Sequence, residues 1–443
     1  MKVPATLKKL ADLFPVPLYV VGGAVRDELL GYPPKDYDIA SELPTDAVIA
    51  LCRENGIAAV TINRRLGTLR LKADGDSYEY TTFRTDCYAG DGSHLPIGVR
   101  FTREMMEDAL RRDFTVNAIY YDVKADRYVD LTGGRVDLQT RLIRATRAPE
   151  SVIAEDALRI LRMVRFAVSL DFEMEIGLYE AAKKLSPSLA SISPERIREE
   201  FDKILIADTF YGVKGAHIRG LRLLVAIGAM EYVVPELLEG IGVEQRPDYH
   251  KYDVFGHILK TVELSPPAIR LAAVMHDIAK PRLKAETGTM AGHAEAGGEF
   301  ARRRMSHLCY SNAEISRVVK LVEGHMFDLK GDASEKTVRT YIQKNAKLLD
   351  DLIALKNADH LGGGRLSGKS PSAERLERTR QAMREEGVPF SVAELQVGGE
   401  DLIALDVPRE KRGRLLEALL EETTVDRGLL TREGQLNYLK KHR

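Results

Sequence analysis

The character of this chain changes once, near residue 140, and that change restricts the fold more than any single motif. Before it, short apolar stretches alternate with helical ones. LYVVGGAV (18–25) reads as a strand entering a glycine turn, VRDELLG as a short helix stopped by Gly31, and KDYDIAS (35–41) as a strand. RLKADGDSYEYTTF (70–83) has the alternation of a hairpin about an Asp74-Gly75 turn. After it, apolar residues recur at helical spacing through APESVIAEDALRILRMVRFAVSL and SPERIREEFDKIL, the latter opened by Ser193 and Pro194. Helices are predicted from there onward, with one loop at LGGGRLSGKSPSAE (361–374), too rich in glycine and serine for a packed element. The expected class is an α/β (α+β) head with a mixed sheet, followed by a mainly α-helical remainder.

At 443 residues and 44% apolar content, two to four domains with proper cores are expected. No run approaches the roughly 18 apolar residues of a membrane span, and MKVPATLKKLADLF reads as an amphipathic helix rather than a signal peptide. Cys52, Cys87 and Cys309 lie far apart without CxxC spacing. That argues against a disulfide framework or thiolate zinc site and for a cytoplasmic protein. The 65 Lys+Arg balance 66 Asp+Glu, so the chain is not a uniformly basic nucleic-acid binder. Charge is nevertheless local: residues 141–165 hold six arginines against three acids, a basic track of the kind an RNA needs. The sequence assigns no oligomeric state.

Gly22-Gly23 lies between a predicted strand and helix, with Arg26 one turn later. Glycines there let backbone N–H groups approach phosphate oxygens at a helix N-terminus, although a plain tight turn uses the same residues. Asp36 and Asp38, at i and i+2 of a predicted strand, would point to one face and grip the same hard cations, and Glu79 offers a third carboxylate. Carboxylates holding Mg²⁺ would activate an attacking hydroxyl and neutralise a triphosphate. A solvated D-x-D at a strand end is common; following a glycine turn within 16 residues, it favours nucleotidyl transfer. In LRRDFTVNAIYYD, Arg111, Arg112, Asp113 and Asn117 read as the basic, capped entrance to a helix.

Asp156, Arg159, Arg162 and Arg165 recur every three residues near one helix face, with Ile160, Leu161, Val164 and Phe166 as the buried side. A carboxylate accepts from an exocyclic amine, and a guanidinium donates to a ring nitrogen or carbonyl, so such a pair suits cytosine and adenine. An exposed salt-bridged face has the same composition. Further along, His257, His276, Asp277, His293, His325 and Asp359 follow an H…HD…H…H…D order on predicted helices. One helical histidine is ordinarily a core or surface residue; this order is that of a ligand set. Mixed imidazole and carboxylate donors suit Mn, Fe, Ni, Co or Mg better than structural zinc.

Taken together, GGAVRDELLG, KDYDIAS, YEYTTFRTD, RRDFTVNA, DLQTRLIRA, EDALRILRMVRFA and PERIREE, in that order over about residues 15–205, resemble the class II tRNA nucleotidyltransferases (CCA-adding enzymes) and bacterial poly(A) polymerases. The resemblance implies a nucleotidyltransferase head (1–140), a helical neck and RNA-binding region (141–240), a metal-binding domain (245–365) and a tRNA-binding tail (366–443). It implies nucleotide contacts from Gly22, Gly23, Arg26 and Arg112, and catalytic metal ligation by Asp36 and Asp38 with Glu79. Asp156 and Arg159 would form an amino-acid template for CTP or ATP, with Arg162 and Arg165 lining the same pocket. Segment 85–113, with Gly90, Gly92 and Gly98, resembles the flexible loop associated with switching from C to A addition.

The histidine–aspartate order resembles the HD phosphohydrolase superfamily. That implies a main metal set of His257, His276, Asp277 and Asp359, with His293 and His325 completing a second metal site or binding phosphate. The last stretch resembles a tail that holds the tRNA elbow, although residues 401–443 carry nine basic against eight acidic groups. The implied function is template-independent addition of C, C and A to tRNA from CTP and ATP with Mg²⁺, with the tRNA held by acceptor arm and elbow. A secondary HD phosphohydrolase activity accompanies it. The alternatives are poly(A), A- or CC-addition, or an HD phosphohydrolase with a nucleotide-sensing head.

Overall fold

A computed structural model describes residues 1–87 and 98–443. They divide into two compact units, Met1–Pro235 and Glu236–Arg443. Among the described residues, no helix is long and apolar enough to cross a membrane.

The first unit is built on a seven-stranded mixed sheet. In chain order its strands are β1 (Tyr19–Val21), β2 (Asp38–Ser41), β3 (Ala58–Asn63), β4 (Thr68–Ala73) and β5 (Asp76–Thr82). A separate ribbon of β6 (Arg84–Cys87) and β7 (Gly98–Phe101) precedes β8 (Ile119–Asp122) and β9 (Arg127–Asp130). The order across the sheet is β3-β4-β5-β2-β1-β8-β9, with β2–β5 the parallel pair and the other neighbours antiparallel. Period-two patterning sets the faces: Tyr78, Tyr80 and Thr82 of β5 are buried while Ser77 and Glu79 are exposed. The β4–β5 turn uses Asp74 and Gly75, both at positive φ (48° and 90°), the geometry that Asp-Gly favours.

Three local expectations change. The strand predicted over 35–41 begins at Asp38, so Asp36 precedes the ladder and its same-face relation to Asp38 loses its basis. Pro33 and Pro34, just upstream, have no N–H to pair, which keeps that approach out of the sheet. Arg111, Arg112 and Asp113 follow the helix Met105–Leu110 rather than open one, and lead to a single 3-10 turn, Thr115–Asn117. The helical run expected from residue 149 is broken into Pro149–Glu155 and Leu158–Leu170. Asp156 lies in that break with extended backbone (φ −150°, ψ 101°), outside the helix that carries Arg159. Ile160, Leu161, Val164 and Phe166 are buried as their spacing predicts.

The second unit is helical. Asp253 caps Val254–Leu264 by accepting the Gly256 N–H at 2.7 Å, and a Ser311–Glu314 capping box starts Asn312–Gly324. Apolar clusters around Ile342, Leu349 and Leu376, and around Leu402, Leu419 and Leu439, each bury side chains contributing about 1.5–3 kcal/mol apiece. The glycine-rich stretch expected as an unpacked loop is shorter and tighter than that. Helix Leu349–Gly362 runs into it and Pro371–Glu385 begins before its end. A Cβ on Gly362 would stand 2.3 Å from Thr261 Oγ1, and one on Gly363 2.5 Å from the Tyr249 carbonyl, so these glycines serve close packing.

Candidate functional site

In the head, β1 ends at Val21 and the chain turns at Gly22, whose φ of +83° and ψ of −139° suit glycine alone. Helix Gly23–Leu29 starts at once. The sheet register places Asp38 between Val21 of β1 and Glu79 of β5, and sets Arg70 of β4 opposite Glu79. An ideal Cβ on Gly22 would lie 3.6 Å from Asp38 Oδ2, so this carboxylate stands over the glycine turn. Asp38 is open to solvent on one side, but the protein packed around it pushes its pKa up. Glu79 adds to that, Arg112 opposes it and Asp36 raises it further, so these four share one electrostatic neighbourhood. Crowded carboxylates at a glycine turn fit a hard divalent cation, which would relieve their repulsion. Asp36, Asp38 and Glu79 do not close to ligand distance, however: among the described residues, the groups with three or more ligand atoms within 4.8 Å lie in the second unit.

The arginines expected to face the nucleotide are tied into the fold. Arg26 is buried: Nη1 donates to Asn117 Oδ1 (2.7 Å), Nε and Nη2 to Asp27 Oδ1 (2.9 and 2.8 Å), and Nη2 also to the Tyr211 hydroxyl (2.8 Å). Arg112 donates to the Tyr120 hydroxyl and to Asp108 Oδ2, both at 3.1 Å. Asp156 is gripped bidentately by Arg196 (3.2 and 2.7 Å) and accepts the Leu158 N–H at 3.1 Å. Arg159, buried, donates to the Val152 and Arg111 carbonyls (3.0 and 2.7 Å) and to Glu155 (3.1 Å). Arg162 Nε donates to Asp113 (2.8 Å) and Arg165 Nε to Glu200 (2.6 Å). The row read as one helix face is thus three arginines paired to three different acids, and an aspartate paired to an arginine from another helix. Arg196, Asp108 and Glu200 are not singled out by sequence reasoning; PERIREE carries the first and last, but nothing local says what they pair with.

This network makes the head acid-sensitive. Burial pushes the Asp113 carboxyl up, but Arg162 and Arg159 hold it down at about 2; burial likewise raises Asp108, and Arg111 and Arg112 hold it at about 2. A depressed carboxylate stabilises the fold above its unfolded pKa of about 3.9, and that contribution is lost as pH falls toward the folded value. Each should be worth about 2 kcal/mol, disappearing between roughly pH 4 and pH 2. Urea titrations across that range should show the loss, and Asp113→Asn should flatten it; an unchanged slope would contradict the pairing.

In the second unit the histidine–aspartate series converges. His257 comes from Val254–Leu264, His276 and Asp277 follow Arg270–Met275, and Asp359 lies on Leu349–Gly362. His257 Nε2 is 3.1 Å from Asp277 Oδ2 and 3.0 Å from Asp359 Oδ1; His276 Nε2 is 3.3 and 3.6 Å from the same oxygens, and the two Nε2 atoms are 3.2 Å apart. A second triad shares Asp277: His293 Nε2 and His325 Nε2 lie 3.3 and 3.8 Å from Oδ1 and 3.3 Å from each other. The Nδ1 atoms of His276, His293 and His325 face the carbonyls of Ala273, Met290 and Val322 at 2.8, 2.9 and 2.6 Å. A carbonyl only accepts, so each Nδ1 carries a proton, and in the neutral ring that binds a metal each Nε2 turns its lone pair to the centre. Imidazole nitrogens and carboxylate oxygens converge within 3.0–3.8 Å of one another, close enough to serve one ion. The donor set therefore fits divalent ions. Lys280, 2.6 Å from Asp277 Oδ2 and 3.0 Å from Gln245 Oε1, adds a cation that the series does not reveal.

Residues 18–144 match the Poly A polymerase head domain, residues 171–240 the probable RNA and SrmB-binding site of polymerase A, and residues 246–362 the HD domain. An A-adding tRNA nucleotidyltransferase of Deinococcus radiodurans is 30% identical over 433 residues, covering 92% of each chain. The chain belongs to the tRNA nucleotidyltransferase family. This nucleotidyltransferase is also 40% identical over 220 residues to a CCA-adding enzyme of Streptococcus suis; that match covers 49% of this chain and spans about half (51%) of the relative. The Bacillus stearothermophilus CCA-adding enzyme in complex with CTP superposes with a TM-score of 0.66 at 25% identity, over 100% of this chain and 98% of that one. The mixed-sheet head followed by a helical remainder is thus the fold of the family.

Proposed function

We propose that this nucleotidyltransferase adds C, C and A to the 3′ end of tRNA from CTP and ATP. The observation that carries the reading is the register that sets Asp38 beside Glu79 over the Gly22 turn, with Arg112 in its field. The turn and the first N–H groups of helix Gly23–Leu29 offer donors to a triphosphate. The 3′-hydroxyl of the tRNA attacks the α-phosphate, the bond to the β-phosphate breaks, and pyrophosphate leaves. Held by Asp36 and Asp38 with Glu79, Mg²⁺ would supply charge neutralisation and ease deprotonation of that hydroxyl. Asp156 accepts from the exocyclic amine of cytosine or adenine, and Arg159, Arg162 and Arg165 support the same pocket. The acceptor arm runs along the basic segment 141–165, and the tail reaches the elbow. The setting proposed is the cytoplasm.

Arg196 fixes both oxygens of Asp156, so its removal should free the reader rather than weaken triphosphate binding. Arg196→Ala is expected to lower discrimination of CTP and ATP over UTP and GTP by about tenfold, near the loss for Asp156→Ala, with KM nearly constant. Ratios of kcat/KM for the four nucleotides check this; a KM effect without loss of selectivity would rule it out.

Addition of a single A is the second reading, favoured by the similarity along nearly the whole chain to the Deinococcus A-adding enzyme. The loop-like segment 85–113 supports full CCA addition from its sequence; residues 88–97 within it, including Gly90 and Gly92, lie outside the described residues. Incubating tRNA lacking its 3′ end, and tRNA ending in CC, with each labelled nucleotide and sequencing the products decides between them. A product ending in CCA from the truncated tRNA supports the first reading; extension of the CC-ended tRNA alone supports the second.

The buried donor set of the second unit supports a secondary phosphohydrolase, acting on 2′,3′-cyclic phosphates or damaged tRNA ends. Divalent ions bound by His257, His276, Asp277 and Asp359, and by His293 and His325, would supply electrophilic activation of a phosphoester. If protein loaded with Mn²⁺, Ni²⁺, Co²⁺ or Mg²⁺ turns over none of these substrates, the centre is a structural metal site.

A further inference from the structure

Besides His293, the helix His293–His307 carries a second group of side chains. Phe300, Arg303, Arg304 and His307 follow i, i+3, i+4, i+7 spacing and therefore share one face. With Arg282 and Glu236 they line a cavity of 360 Å³. Glu236 holds Arg304 through Nε and Nη2 (3.0 and 2.9 Å), and Glu239 holds Arg282 through the same edge (2.7 and 2.6 Å). These pairs set the guanidinium planes and leave the Nη1 hydrogens for another acceptor. Arg303 and His307 are exposed and have no carboxylate partner among the described residues. The guanidinium carbons of Arg282 and Arg303 each lie 4.7 Å from the centre of the Phe300 ring. Glu236, Glu239 and Glu286 balance much of this charge around Arg282, and Arg303 is the guanidinium left without a carboxylate beside the half-buried Phe300 ring. That combination suits phosphate oxygens together with a base, as in single-strand binding.

Position along the helix names the kind of ligand. Phe300 and Arg304 are seven and eleven residues beyond His293, so all three fall within one side of the helix, roughly 10 and 16 Å apart along its axis. A single nucleotide with its phosphate at His293 does not span to Arg304; a phosphodiester strand repeats its charge over that distance. We propose that this cavity binds the backbone of an RNA strand whose terminal phosphoester is presented to the metal centre. The substrate class of that centre is then a polynucleotide end rather than a free mononucleotide. The presentation rests on the phosphohydrolase reading; the strand site rests on the cavity itself.

The test uses full-length, Mn²⁺-loaded protein and a single-stranded RNA of about ten nucleotides carrying 4-thiouridine and a 3′-terminal phosphate. Other RNA-binding surfaces are separated by mapping photocrosslinks to peptides. The expected result is a crosslink within residues 293–307 that falls at least about fivefold in Arg303→Glu and also falls in Phe300→Leu. Unlabelled strand should compete and CMP or AMP should not. No crosslink in this peptide, an undiminished yield in Arg303→Glu at unchanged Tm, or displacement by a mononucleotide would each overturn the proposal. Crosslinking needs no turnover, so a crosslink without phosphate release supports the strand site and removes only hydrolysis of a 3′-terminal phosphate. Phosphate release from this RNA without the crosslink removes the strand site and keeps the phosphohydrolase reading.

Discussion

Asp38→Asn is expected to abolish nucleotide incorporation by the head while tRNA binding survives. Among the head carboxylates, this one has both a sheet position and a place over the glycine turn. It is the first residue of β2, opposite Glu79 in parallel register, and within 3.6 Å of where a Gly22 Cβ would be. The amide keeps the size of the side chain and removes the charge, so the sheet should persist and cation affinity should not. A loss of at least about a thousandfold in kcat/KM, some 4 kcal/mol of transition-state stabilisation, is the expected scale. Glu79→Gln should cost less, because Arg70 on the neighbouring strand already shares that carboxylate's surroundings. Asp36→Asn tests the position that lies ahead of the strand: if Asp36 still joins the cation, its loss approaches that of Asp38. Single-turnover incorporation of labelled AMP and CMP, with tRNA binding measured in parallel, separates these effects. Full activity in Asp38→Asn would remove the head as the catalytic unit.

How far the sequence reaches depends on the distance over which each feature is specified. The Asp74-Gly75 hairpin and the buried face of Leu158–Leu170 are local consequences of turn chemistry and periodicity, and both are present. The histidine–aspartate series is legible although its members are far apart, because the residue types are rare and each sits on or beside a helix that fixes its direction. Partner choice among arginines and carboxylates is not legible. Arg26 meets Asn117 and Tyr211, 91 and 185 residues away; Arg162 meets Asp113 across 49; Asp156 meets Arg196 across 40. A 30% charged chain offers too many equivalent partners for pattern to choose one. Arg26 and Arg159 are buried and hydrogen-bonded within the fold, whereas periodicity assigns such residues to a solvated or ligand-facing side. Asp156 shows the remaining limit: i+3 spacing continues through the break between two helices, so a face drawn from sequence crosses a boundary that only the backbone reveals.

The second large effect is expected at Asp277, because it alone belongs to both groups of side chains that could hold a metal ion. Its Oδ2 faces His257, His276 and Lys280, and its Oδ1 faces His293 and His325. Its carboxyl is held well below the ordinary range: burial pushes it up, and His276, Lys280 and the hydrogen-bonded His257 overcome that. Asp277→Asn therefore removes the one anion common to the two sites and leaves Lys280 facing a neutral group. After dialysis against Mn²⁺, metal content by mass spectrometry should fall close to zero in Asp277→Asn. Asp359→Asn and His325→Ala should each lose one site and keep the other, since the triad Asp277, His293 and His325 lacks Asp359 and the first set lacks His325. Any phosphohydrolase turnover should drop below about 1% in Asp277→Asn, on the scale of losing a shared metal ligand. Nucleotide addition by the head serves as the control that the chain is folded. Equal metal content in Asp277→Asn and the unaltered chain would mean that Asp277 is not the bridge, and that the two histidine pairs hold ions independently of it.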